Sequence, residues 1–377
     1  MSKNGQWSRR EALTSAGALL AAASIGKSAP AQSARAMVFT DAATLPIIGR
    51  AFPGLPSAWQ RIDLATYPDL PPDVKERLTH PAGLAVSFRT DSPVITARWC
   101  TANAAQSVNM TPIAQRGLDL YIRRGNAWVW AGVGRPADES ADGMACYEDK
   151  LVQEMDSGEK QCLLYLPLYK ELKSLEIGVA PGSSLKPAAN PFAKRIVIYG
   201  SSIVQGAAAS RPGMAYPARL SRRLGVDVIN LGASGVARME AAAARMVADV
   251  EADAYILDCV PNTNAGQIAQ RAGNLVRIVR ARRPDAPIIV VMSIIRELGH
   301  FNRVWAERVA KQNATMLAEF AKLNDIKGVT VIPAGELLGH DGESSVDGTH
   351  PTDLGFDRML QVIEPVVADV LKRHKIL

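Results

Sequence analysis

The chain has 377 residues, of which 47% are hydrophobic and 21% charged, the composition of a globular protein long enough for two full-sized cores. Its formal net charge is +6, but Lys3, Arg9, Arg10, Lys27 and Arg35 against Glu11 place most of that excess in the first 36 residues. The remainder keeps about +2, which gives no case for nucleic-acid binding.

The first 36 residues read as an export segment rather than part of the fold. Ser8-Arg9-Arg10-Glu11-Ala12-Leu13 precedes a mildly apolar, Ala-rich stretch to Ile25, and Ala34-Arg35-Ala36 has the small-x-small pattern of a cleavage site. The segment resembles a bacterial twin-arginine signal, which implies a periplasmic or secreted protein cleaved near Ala36. The apolar stretch is too short to span a bilayer well, and no later run reaches about 18 apolar residues, so no stable membrane insertion is expected after cleavage. Cys100, Cys146, Cys162 and Cys259 form no CxxC and no metal-ligand spacing. Export permits a disulfide among the first three, but a chain of this size needs no staple, and buried free thiols are the expected state.

Residues 37 to about 80 are irregular and proline-rich, and either wrap a surface or begin the first sheet. From Gly83 short strands follow one another. Leu84–Arg89 and Val94–Trp99 flank the turn signal Asp91-Ser92-Pro93; Leu118–Arg123 turns through Gly125-Asn126 into Ala127–Ala131; Cys162–Leu166 and Ser174–Val179 complete the set. Short strands with almost no helical period predict an antiparallel, jelly-roll-like β-sandwich over 37–190. Trp128 and Trp130 share one face of the hairpin, where core packing is the expected use and sugar stacking the alternative. Pro181 to Pro191, rich in Gly, Ser, Pro and Ala, reads as the linker out of the sandwich.

Over 191–377 strands and helices alternate. Strands are predicted at 195–200, 226–231, 254–259, 287–293 and 328–333, and helices at about 214–224, 238–250, 266–283, 302–325 and 353–373. Continuous apolar runs such as Ile288–Met292 are of the kind buried in a parallel sheet, and five βα units predict a three-layer, doubly wound α/β fold with its site at the carboxyl ends of the strands.

Four loops carry groups suited to acyl transfer. Ser202 follows a strand ending at Gly200, on a strand-to-helix turn where a nucleophile lies beside free backbone N–H groups. Asn230–Gly235 offers backbone N–H groups through its glycines, and Asp258–Asn264 brings side-chain amides to a strand end. In Asp347-Gly348-Thr349-His350 the carboxylate can accept from His350 Nδ1, leaving Nε2 to take a proton from Ser202. The Ser202 and Gly235 N–H groups and the Asn262 amide are the candidate donors to a developing oxyanion. Arg296, Glu297 and His300 follow the fourth strand, where they either line the cleft or form a solvated loop. No metal or cofactor is expected: the Gly200–Gly206 loop carries no Gly-Lys-Ser/Thr and no GxGxxG, and no His/Asp/Glu cluster has metal-ligand spacing.

These four blocks are similar to those of the SGNH (GDSL-type) hydrolase superfamily. The resemblance spans about residues 193–377 and implies Ser202 as nucleophile, Gly235 and Asn262 as oxyanion donors, and an Asp347–His350 pair. Ser201 stands where the family's block has Asp, and Val260-Pro261-Asn262-Thr263 lacks the usual Gly and final Asp. Gly117-Leu118-Asp119-Leu120-Tyr121 resembles the Gly-x-Asp-Leu-Tyr signature of β-domains that precede such hydrolases in some bacterial proteins. Together the resemblances imply a cofactor-free serine esterase that removes a small acyl group, such as acetyl, from a carbohydrate. The alternatives are a lipase or thioesterase of the same superfamily, or a catalytically idle glycan-binding protein acting through Trp128 and Trp130.

Overall fold

Strand alternation builds the first half of the protein. The computed structural model describes residues 36–102, 106–137 and 144–377; the expected export segment, through Arg35, lies outside them. The elements in order are β1 (Val38–Asp41), β2 (Ile47–Ile48), α1 (Pro72–Leu78), β3 (Ala85–Thr90), β4 (Ile95–Ala102), α2 (Pro112–Arg116), β5 (Leu118–Arg124), β6 (Ala127–Gly134), β7 (Met144–Val152), β8 (Lys160–Tyr165), β9 (Leu172–Val179) and β10 (Leu185–Pro187). They form two antiparallel sheets, β1-β9-β4-β7 and β10-β3-β8-β5-β6, with β2 beside β3. In β4, Ile95, Ala97 and Trp99 point into the space between the sheets and meet Phe88, Leu118, Leu120, Leu164 and Ile177. Each large side chain buried there contributes about 1.5–3 kcal/mol. The Trp99 indole N–H donates to the Arg116 carbonyl at 2.7 Å, so the ring is buried without an orphaned donor.

Three readings of this half need correction. Cys100 and Cys146 are disulfide-bonded, while Cys162 and Cys259 are buried free thiols. The reason is β7, a strand the sequence reading omits, which pairs with β4 and sets the two cysteines directly opposite. The segment read as a linker contains β10, whose residues pair with Thr90, Arg89 and Phe88 of β3. The tryptophans do not enter the sandwich core. Trp128 is partly buried against Ile48, Tyr121, Leu163 and Phe192 on the sheet's other face, and Trp130 is 50% exposed with the Arg211 guanidinium over its ring. Both lie on edge strand β6, and Trp130 pairs with Tyr121 beside a register shift at Leu120/Tyr121.

The second half is a five-stranded parallel sheet ordered β12-β11-β13-β14-β15, from β11 (Arg195–Gly200), β12 (Asp227–Gly232), β13 (Ala254–Asp258), β14 (Ile288–Val291) and β15 (Val329–Ile332). The helices are α3 (Ser202–Gln205), α4 (Tyr216–Leu224), α5 (Ala241–Asp249), α6 (Ala265–Arg282), α7 (Arg303–Ala321) and α8 (Asp353–Arg373). Val197 and Tyr199 of β11 face α5, α6 and α7, while Ile196 and Ile198 face α3, α4 and α8, which gives the three layers. Both sheet faces are covered, so the strands read as unbroken apolar runs. The order places β11 where the winding reverses, the position at which open α/β sheets leave a crevice at their carboxyl ends.

The proline-rich segment wraps this second half. Ile62, Leu70, Val74 and Leu78 join the α5–α7 side of its core. Arg61, fully buried, donates to the carbonyls of Asn230 (3.0 Å) and Gly232 (2.8 Å) and to that of Arg77. Burial without a carboxylate partner pulls its pKa down to about 9.

Candidate active site

Gly200, Ser201 and Ser202 make the bend at the end of β11. A Cβ at Gly200 would overlap the Asp258 carbonyl and Val204, so only glycine lets α3 start this close to β13. Ser201 caps α3: its Oγ accepts from Ile203 N–H at 3.2 Å, and its own N–H donates to Asp258 O at 3.1 Å. Ser201 is thus occupied in holding the bend, and Ser202, the first helical residue, turns toward the crevice. Its N–H has no intrahelical acceptor at that position.

His350 Nε2 lies 3.0 Å from Ser202 Oγ, and its Nδ1 lies 2.7 Å from Asp347 Oδ2. The other carboxylate oxygen of Asp347 accepts from the N–H groups of Thr349 (3.0 Å) and His350 (2.8 Å). Partial burial pushes the Asp347 pKa up, but hydrogen bonds from His350 and Asn109 outweigh this and hold it at about 2. Asp347 is therefore an anion at neutral pH, able to fix one imidazole tautomer.

The Asp347–His350 turn is braced from both ends. Val346 N–H donates to His350 O at 3.0 Å, and Ser345 bridges Pro351. Gly348 adopts φ +79° with its Cα against Leu298, where a Cβ would come within 2.8 Å of the Leu298 Cβ. Leu298 N–H in turn donates to Gly348 O at 2.9 Å. The Glu297 carboxylate accepts from Ser344 N–H (2.7 Å) and Ser345 N–H (2.9 Å). Arg296, 6% exposed, donates to Pro261 O at 2.8 Å, tying the Asn262 loop to the same segment. Of the three residues expected either to line the cleft or to lie in a solvated loop, Arg296 and Glu297 are braces, and His300 sits in an exposed 3-10 turn.

The other two loops meet each other. Asn262 Nδ2 donates to Ala233 O at 3.3 Å. Gly235 is exposed, with φ +75° and nothing within 4 Å of where its Cβ would be. Val236 and Ala237 N–H both return to Ala233 O, which leaves the Gly235 N–H outside that turn. Behind this loop Gln205 donates to His80 Nδ1 (3.0 Å) and Leu168 O (2.9 Å), while its Oε1 accepts from Ser234 N–H (3.0 Å). Burial first, then the charges of Arg61, Arg77 and Lys170, depress the His80 pKa to about 3, so this support stays neutral.

The structure thus brings Ser202, His350 and Asp347 into one hydrogen-bonded line and stitches Asn262 to the loop of Gly235. Two contributors escaped the sequence reading. Asn109, from the turn between β4 and α2, donates to Asp347 Oδ2 at 2.8 Å and lies 3.3 Å from His350 Nδ1. An asparagine in a loop 238 residues away from its partner leaves no local signal. The second is the His80–Gln205 support, where the only hint was a polar residue inside an apolar helix start. Among the described residues no group of three or more His, Cys, Asp and Glu side chains could hold a metal, and no helix is long and apolar enough to cross a membrane.

Comparison with known proteins gives matches over both halves. Residues 193–368 match the GDSL-like lipase/acylhydrolase family, and residues 37–185 match the GxDLY N-terminus of SGNH-hydrolase-type esterases. A crystal structure described as a GDSL-like lipase from Bacteroides ovatus is 47% identical, with a TM-score of 0.86 over 89% of this chain and 98% of that one. The salicylyl-acyltransferase SsfX3 from a tetracycline biosynthetic pathway shares the fold at 18% identity and a TM-score of 0.68, over 89% and 98% of the two chains. A family two carbohydrate esterase from Cellvibrio japonicus shares it at 12% and 0.54, over 77% and 90%. No curated protein matches the chain. The four blocks at the sheet's carboxyl edge, the family matches and the 47% identical structure lead to one conclusion: this chain belongs to the SGNH (GDSL-like) hydrolase superfamily, with the GxDLY type of N-terminal portion.

Proposed function

We propose that the chain is an exported serine esterase in which Ser202 is the nucleophile, His350 the base and Asp347 its orienting anion. The observation that carries this reading is the line from Ser202 Oγ through His350 (3.0 Å) to Asp347 (2.7 Å). His350 Nε2 takes the hydroxyl proton as Ser202 Oγ bonds to the ester carbonyl carbon. The carbonyl oxygen gains the electron pair and receives hydrogen bonds from the Ser202 and Gly235 N–H groups and the Asn262 amide. The imidazolium then protonates the leaving alcohol as the C–O bond breaks, and water, activated by the same imidazole, releases the acid from Ser202.

The reading includes removal of acetyl from a carbohydrate. Supporting it, a cleft of about 480 Å³ reaches Ser234, the residue before Gly235, and is lined by Glu76, Arg77, Thr79, Ser107 and Lys170, groups able to bond a hydroxylated alcohol. A longer acyl group is the second reading; a cavity of about 360 Å³ follows β14, lined by Ile295, Ala306, Val309 and Ala310 together with Arg296, His300 and Asn313. Acyl-length profiling on p-nitrophenyl acetate, butyrate and octanoate, with acetate release from acetylated xylan, separates them. The first reading expects acetate to be the best ester and acetylated xylan to be cleaved; a best rate on octanoate with no acetate released contradicts it. The chain's division between residues 185 and 193 into a sandwich domain and a hydrolase domain belongs to the same reading, supported by the two family matches that meet there. So does export, which the Cys100–Cys146 disulfide supports because such bonds persist in oxidising compartments.

A further inference from the structure

Asp347 Oδ2 accepts two hydrogen bonds, one from His350 Nδ1 and one from Asn109 Nδ2. The first comes from the parallel-sheet half and the second from the β-sandwich half. We propose that Asn109 is a positioning residue of the serine site, supplied by the sandwich to hold the Asp347 carboxylate in line with the imidazole; this rests on the roles given above to Ser202, His350 and Asp347.

The geometry gives the reason. The Asp347 side chain is 34% exposed, so water competes for Oδ2, the oxygen that must face Nδ1 when the imidazolium forms. A carboxylate hydrogen-bonded to water can rotate about its last bond; one pinned by an amide on Oδ2 and by two backbone N–H groups on Oδ1 cannot. Misplacing a catalytic group by about an ångström costs on the order of 10²-fold in rate.

Asn109 is itself held for this task. Gln115, 1% exposed, accepts from Ser107 N–H (3.0 Å) and donates to the carbonyls of Ser107 and Met110 (both 3.2 Å), closing the turn that presents Asn109. Next along the chain, Thr111 caps α2 and its hydroxyl donates to Ser210 O at 2.7 Å. Ser210 N–H and Oγ both bond the Asp353 carboxylate at the start of α8, the helix that follows His350. The GxDLY signature secures the same loop: Asp119 accepts from Gly213 N–H at 2.8 Å and pairs with Arg211 at 3.2 Å. The segment carrying Asn109 and the start of α8, three residues after His350, are therefore fastened to one loop, 210–213.

The test is a double-mutant cycle on p-nitrophenyl acetate, an activated ester whose alcohol has no sugar, so the outcome does not depend on the carbohydrate assignment. In the full chain, Asn109→Ala is expected to lower kcat about 10–100-fold with KM changed less than about twofold. In the Asp347→Ala background the same substitution should change kcat less than about twofold, because the group it acts through is gone. Asn109→Asp, isosteric but unable to donate, should lose at least as much as Asn109→Ala, and it replaces that variant if the alanine protein does not fold. Wild-type kcat in either variant, or an equal fold loss with and without Asp347, overturns the proposal. Ser202→Ala, measured in parallel, keeps the two failures apart: full activity there removes the serine mechanism itself, whereas its inactivation alongside an unaffected Asn109→Ala removes only the role of Asn109.

Discussion

Ser202 and His350, 148 residues apart in sequence, come within 3.0 Å because both loops end at the carboxyl edge of one parallel sheet. At this scale the sequence was informative where a residue belongs to a spaced block. Asp347 precedes His350 by three positions, and that spacing alone allows the turn that joins them. It was silent where a contact is made by a side chain from a remote loop, as with Asn109, or by a braced backbone, as with Glu297. The oxyanion assignment makes a prediction of its own. Asn262→Ala should lower kcat for p-nitrophenyl acetate by about 10²–10³-fold with little change in KM, since the amide is proposed to bond an oxygen charged only in the transition state. An unchanged kcat would assign Asn262 solely to its bond with Ala233 O.

Among the elements, the parallel strands were legible because burial on both faces leaves no polar residue to interrupt them; all five lie within a few residues of the expected spans. β7 was not, because its outward positions carry Glu148 and Lys150 while its inward ones include Ala145 and Tyr147, a weak alternation. β10 was hidden by Pro187, which an edge strand tolerates because nothing need accept from its missing N–H. The β11–α3 junction depends on its glycine. Gly200→Ala, whose Cβ would overlap Asp258 O and Val204, should cost about 2–4 kcal/mol, read as a fall in Tm of roughly 4–12 °C. An unchanged Tm would mean that the strand and helix can part without penalty.

For the whole molecule, two stability tests follow. The Cys100–Cys146 bond closes a span of 46 residues, so Cys100→Ala/Cys146→Ala should destabilise by about 2–4 kcal/mol while kcat stays near wild type. Equal denaturation midpoints for the two proteins would count against the bond. Asp258 lies fully buried beneath the bend, and burial, opposed by a hydrogen bond from Tyr216 (2.8 Å), pushes its pKa from 3.8 to about 7. The fold thus prefers the protonated acid: the stability this group contributes is fully present below pH 3.8 and is lost as pH rises through about 7. Asp258→Asn should accordingly gain in Tm relative to wild type between pH 5 and pH 8, and a pH-independent difference would refute the shift.

At the same scale, the sandwich is more than a neighbour of the hydrolase sheet, since Asn109 and Asp119 both bond groups of the second half. The central claim is that this assembled site cleaves esters through Ser202. The most direct measurement is turnover of p-nitrophenyl acetate by the wild-type chain and by Ser202→Ala, matched for folding by circular dichroism. The account predicts a wild-type protein that turns over the ester and a variant slower by at least about 10⁴-fold; a Ser202→Ala protein that keeps wild-type turnover would contradict it.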